Sequence, residues 1–147
     1  MQYLFEEHFY NWRDQEDVGG DTSRFDVIAK VKGTDVFSRM LIEHFYSRYV
    51  IFEFKNYEKP LKSNLIHVTE KYLFPRALRA SAIIVSPAGL TEAAEKAAQG
   101  ALRDAGKLML SIDRETLCLM LEEKDQGTSP GVRMEAILDG VLQQLGR

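Results

Sequence analysis

At 147 residues, 45% hydrophobic and 28% charged, the chain has the size and composition of a single globular domain with a sizeable core. Its net charge of −3 argues against a general nucleic-acid coat protein, yet leaves room for a local basic surface beside acidic ligands. Apolar runs such as Ala82-Ile83-Ile84-Val85 are too short to cross a bilayer, and the single Cys118 excludes an internal disulfide framework.

The opening Met1-Gln2-Tyr3-Leu4-Phe5 runs straight into Glu6-Glu7 without the basic-then-apolar pattern of a signal peptide, so a cytoplasmic protein with no membrane partner is expected. From Tyr3 to Trp12 the spacing of Leu4, Phe5, Phe9 and Trp12 predicts a helix. Asp17 to Thr22 reads as a polar, glycine-containing break. Arg24 to Val31 reads as a strand with Phe25, Val27, Ala29 and Val31 on one face and Asp26, Ile28 and Lys30 on the other. Thr34 is placed to cap a helix running to about Tyr46, with Val36, Phe37, Met40, Leu41 and Phe45 as its apolar stripe.

Tyr49-Val50-Ile51-Phe52-Glu53-Phe54-Lys55 is the most informative stretch. Large apolar residues on both faces mark a central, doubly covered strand. Glu53 and Lys55, two residues apart, share a face, because side chains alternate along a strand. A charge on such a strand costs several kcal/mol unless it is compensated, and a metal ion together with a phosphate would compensate this pair.

A turn at Asn56 to Pro60 precedes a helix from about Lys62 to Phe74, ended by Pro75. Ala82 to Ser86 is a short buried strand. Thr91 caps an alanine-rich helix that Gly106 terminates, and Lys107 to Ile112 is a further strand. Asp113 caps a helix containing Leu117, Leu119 and Leu121, among which burial of Cys118 is expected. Ser129-Pro130 opens a last helix whose Met134, Ile137, Leu138, Val141, Leu142 and Leu145 form one stripe. The alternation implies an α/β domain with a mixed β-sheet flanked by α-helices. Residues 1–125 are expected to form that domain, and 126–147 a loop and amphipathic helix packed on it or on a partner.

An upstream strand acid, Asp26 in Arg24-Phe25-Asp26-Val27-Ile28, followed by Glu53-Phe54-Lys55-Asn56-Tyr57, resembles the PD-(D/E)xK nucleases, the restriction-endonuclease-like superfamily. The resemblance spans about residues 1–123; Phe25 stands where the superfamily's name would place proline. It implies a restriction-endonuclease-like core and a Mg²⁺-dependent endonuclease, with Mn²⁺ able to substitute. Asp26, Glu53 and the backbone carbonyl of Phe54 would hold the metal, and Lys55 would orient or help deprotonate the attacking water. The implied substrate is nucleic acid, with DNA preferred, in a restriction or phage-defence setting.

Glu7 is a further acid that the resemblance would bring to the metal. His67 or Thr69 would fill the polar position on the helix after the second acid strand. Lys59 and Lys62 would touch phosphates. Asp21 and Asp35 compete with Asp26 but fall in a loop and a helix's first turn. His8 and His44 lack metal-ligand spacing and read as structural. No GxxxxGK[ST], GxGxxG, GxSxG or zinc cluster occurs. Two other readings stand beside the enzyme: a catalytically inactive nuclease-like scaffold or nucleic-acid-binding module of a larger assembly, and an α/β domain with an accidental Glu-x-Lys. The last helix's stripe leads to the expectation of a homodimer or larger assembly.

Overall fold

The computed structural model describes residues 1–14 and 25–146. Five strands, β1 (Phe9–Asp14), β2 (Val27–Val31), β3 (Tyr49–Phe54), β4 (Ser81–Val85) and β5 (Leu108–Ile112), form one sheet in that order. The first two pairings are antiparallel and the last two parallel, so the sheet is mixed. Parallel neighbours need a crossover. α2 (Ser63–Glu70) connects β3 to β4, and α3 (Glu92–Ala105) connects β4 to β5.

The two sheet faces carry separate cores. On one, Val50, Phe52, Leu108 and Leu110 pack with Phe37 and Leu41 of α1 (Val36–His44), Met120 of α4 (Arg114–Asp125), and Met134 and Leu138 of α5 (Pro130–Gln143). On the other, Ile51, Ala82, Ile84 and Met109 pack with Ile66 of α2 and Ala94 and Ala101 of α3. Each buried leucine- or isoleucine-sized side chain contributes about 1.5–3 kcal/mol. β3 is therefore covered on both sides, as its composition requires.

Local chemistry accounts for most boundaries. Thr91, Asp113 and Ser129 each accept a backbone N–H at the start of α3, α4 and α5, and Gly106 ends α3 in the left-handed conformation at φ 66°. Four expectations are corrected. Residues 2–8 form turns rather than a helix, and Phe9 onward is a strand, because pairing with β2 satisfies that backbone. Asn11, at φ 53°, occupies the irregularity in that pairing, a conformation asparagine tolerates better than most residues. Asp35, not Thr34, caps α1; the Thr34 hydroxyl donates to the Glu7 carbonyl instead. α2 stops at Glu70, and Pro75 opens a separate 3₁₀ turn, Pro75–Ala77. Cys118 is exposed, because α4 turns Met120, with Leu117 beside it, to the core.

β2 also begins later than its pattern suggests. Phe25 joins the core on the α2–α3 face, opposite to Ala29 and Val31. The Asp17–Thr22 break, Asp21 and Arg24 lie outside the described residues.

α5 packs on its own domain: Met134 and Leu138 are fully buried, with Ile137 and Val141 against them. Most of its stripe is therefore satisfied internally, with Leu142 left exposed. The helix is further pinned by His8, fully enclosed between two helix caps. Its Nδ1 lies 3.1 Å from Asp35 Oδ2, and its Nε2 lies 3.4 Å from Ser129 Oγ. The order Ser-His-Asp is that of a nucleophilic triad. Here the Ser129 oxygen accepts the Gly131 N–H as a cap, and the buried imidazole has no open side, so the group is a clasp. The neighbouring His8 and Ser38 hold the Asp35 carboxyl below its usual value even though burial pushes it up. No helix among the described residues is long and apolar enough to cross a membrane.

Candidate active site

The carboxyl ends of the parallel strands are where open α/β sheets place ligands, and three charged side chains meet there. Glu53 is the penultimate residue of β3 and Lys55 follows its last. Both share the face of Ile51, which α2 and α3 cover. Asp26 immediately precedes β2 rather than lying inside it. The β2–β3 register pairs Val27 with Phe52 and Ile28 with Ile51. Asp26, one residue before the Val27–Phe52 pair, therefore comes beside the Glu53–Phe54 end of β3, close enough to Glu53 to act on its charge. Asp26 is fastened there: its Oδ2 accepts the Phe54 N–H at 2.6 Å.

The electrostatics of this cluster are uneven. Glu53 is 1% exposed, and Lys55 Nζ lies 3.3 Å from its Oε2. That contact is not aligned as a hydrogen bond, so Oε2 is a buried oxygen without a hydrogen-bond partner. Burial pushes the Glu53 carboxyl above its usual range. Lys55 pulls it down, Asp26 pushes it up again, and the net direction is upward. The Lys55 amine would be lowered by its own burial, but Glu53, Asp26 and the Tyr57 phenol outweigh that and raise it. Lys55 is therefore a committed cation. Two carboxylates face one ammonium, which leaves the group one negative charge in excess.

Such a site fits a hard divalent cation. Mg²⁺ takes one or two carboxylates and keeps several waters, and a buried carboxylate oxygen without a donor is a ready ligand. In an antiparallel strand the N–H and C=O of one residue point to the same side. The Phe54 carbonyl therefore faces the β2 side, toward Asp26. Among the described residues no three His, Cys, Asp or Glu side chains cluster, so an ion here would rely on water and backbone for its remaining ligands.

The lesser candidates separate. The exposed Glu7 sits with its carbonyl on Thr34, beyond the far end of β2. At about 3.3 Å per residue this is roughly 20 Å along the strand from Asp26, so Glu7 is not part of the group. His67 is 62% exposed on α2 and lies 3.7 Å from Glu70, turned away from the sheet, while Thr69 is buried in the core. Lys59 and Lys62 do lie beside the site, lining an open cleft of about 660 Å³ that begins at Asn56. Tyr57, which closes the Lys55-Asn56-Tyr57 continuation of the motif, lines the same cleft and lies near enough to Lys55 to raise its amine. No family model matches the chain, and no curated protein or solved structure matches it either.

Proposed function

We propose that this protein is a metal-dependent nuclease that hydrolyses phosphodiester bonds of DNA, with a restriction-endonuclease-like core and a restriction or phage-defence role. The observation that carries the reading is the meeting of Asp26, Glu53 and Lys55 at the carboxyl edge of the sheet, with the Glu53 carboxylate buried and Lys55 its one counter-charge. Asp26, Glu53 and the Phe54 carbonyl would hold Mg²⁺, with Mn²⁺ as a substitute. When bound, the metal supplies Lewis-acid activation of the attacking water and neutralises charge on the phosphate.

The chain's own residues supply position and charge. Asp26 is oriented through the Phe54 N–H. Lys55, held protonated by Glu53, donates to the phosphate oxygens and orients the water rather than taking its proton. In the reaction the water oxygen bonds to phosphorus as one of its protons passes to solvent, the bond to the leaving oxygen breaks, and that oxygen takes up a proton from solvent. Retaining Asp26 beside the buried Glu53 favours this reading over an inactive scaffold, since neighbouring like charges destabilise the fold.

The experiment is incubation of purified protein with plasmid, linear and single-stranded DNA and with RNA, in Mg²⁺, Mn²⁺ and EDTA. Cleavage in both metals and none in EDTA is expected. Cleavage that persists in EDTA, or no cleavage of any substrate in either metal, refutes the proposal.

A further inference from the structure

We propose that the cleft between the Asn56–Lys62 loop and the start of α2 is a subsite for one unpaired nucleobase beside the scissile phosphate, so that the substrate is single-stranded or locally opened DNA. This rests on the nuclease reading and names its substrate class.

Position is the first argument. The cleft starts at the residue after Lys55, and its Tyr57 is close enough to influence the Lys55 amine, so an occupant lies one group away from the reacting phosphate. Chemistry is the second. Tyr57 is a half-exposed aromatic, at 49%, that belongs to neither core cluster. Every base has a π-face, and stacking on such a ring is tolerant of sequence. Asn56 and Asn64 line the cleft and offer amides, each both donor and acceptor. Lys59 and Lys62 supply cations for the flanking phosphates, against the single carboxylate of Glu58. Leu65 provides an apolar wall.

Shape is the third argument. About 660 Å³ is ample for a nucleotide. Tyr57 also borders a second cavity of about 360 Å³ with Pro87, Ala88 and Arg114. Tyr57 thus borders open space in both cavities, the second also lined by Arg114. A base inside a duplex has neighbours on both faces and cannot use this ring. It must leave the stack, which is least costly in single strands and mismatched or opened sites.

The test measures binding and cutting separately. Full-length protein is titrated by fluorescence anisotropy in Ca²⁺ against a single-stranded oligonucleotide, the same sequence as a duplex, and a duplex with a short unpaired bubble. Cleavage of each is then followed in Mg²⁺. Tyr57→Ala and Tyr57→Phe are compared, with circular dichroism confirming that both fold. Expected is tighter binding to single-stranded and bubble DNA than to duplex, and about a tenfold or greater loss of that binding in Tyr57→Ala. Tyr57→Phe should retain it, and duplex binding should be little changed. Indifference to strandedness, or wild-type single-strand binding by Tyr57→Ala, overturns the subsite while cleavage in Mg²⁺ still upholds the nuclease. Tyr57-dependent single-strand binding without cleavage overturns the nuclease and leaves the subsite standing. Absence of both binding and cutting overturns the two together.

Discussion

Replacing Glu53 by glutamine separates function from stability more cleanly than any other change. The side chain is 1% exposed, its Oε2 lacks a hydrogen bond, Asp26 lies near enough to repel its charge, and Lys55 is its one counter-ion. Burial and Asp26 together raise its carboxyl above the usual glutamate value despite Lys55. The unfolded chain therefore releases this proton at a lower pH than the native state does. Between the two values the native state binds more protons, and stability falls as pH rises through that window and then stays level above it. Glutamine is nearly isosteric and neutral, its oxygen can face Lys55, and its amide can donate to Asp26. Leaving a buried polar group unpartnered costs about 1–3 kcal/mol, so Glu53→Gln should gain on that order in metal-free buffer at pH 7.5. For a chain of this length that is a rise of several degrees, at about 2–4 °C per kcal/mol. Cleavage should be lost. The assay is thermal unfolding by circular dichroism in EDTA at pH 7.5 and pH 4, beside plasmid cleavage in Mg²⁺. The gain should shrink at pH 4, where glutamate is protonated in the wild type. A variant less stable than wild type at pH 7.5, or equally more stable at both pH values, would show that Lys55 already compensates Glu53 and refute the reasoning.

Lys55→Ala should lower the cleavage rate by about 10²–10³, the loss typical of one electrostatic donor, while retaining DNA binding in Ca²⁺; a wild-type rate would remove the lysine from the mechanism. The two glycines of α5 should respond oppositely. A Cβ at Gly131 would press on Asp35 and come within 2.9 Å of His8 Cε1, so Gly131→Ala should cost about 1–3 kcal/mol in urea denaturation. Gly140 has nothing within 4 Å, so Gly140→Ala should add roughly 0.5–1 kcal/mol. Equal effects of the two would mean that the clasp around His8 is looser than described. The exposed Cys118 should react with a thiol reagent in the folded protein at nearly the rate seen in denaturant; protection would place it back in the core.

What the sequence determined by itself is whatever depends on neighbours a few residues away. Thr91, Asp113 and Ser129 cap their helices because each side chain reaches the N–H groups of its own first turn. Gly106 ends α3 because it alone there adopts a left-handed conformation without cost. The double-faced apolar run of β3 announced a covered strand, and with it the shared face of Glu53 and Lys55. Tertiary structure decided what depends on partners far along the chain. Leu4, Phe5, Phe9 and Trp12 suit a helix by spacing, but a strand partner at Val27–Val31 claimed the backbone from Phe9 onward. Cys118 lies in an apolar stretch, yet which side of α4 meets the sheet is a matter of docking, and it put the thiol outside. His67 and Glu7 were turned or carried away from the site for the same reason. Above all, the two carboxylates meet only because β2 pairs with β3, which brings Asp26 onto the Phe54 N–H beside Glu53; side-chain alternation is local while strand pairing is not.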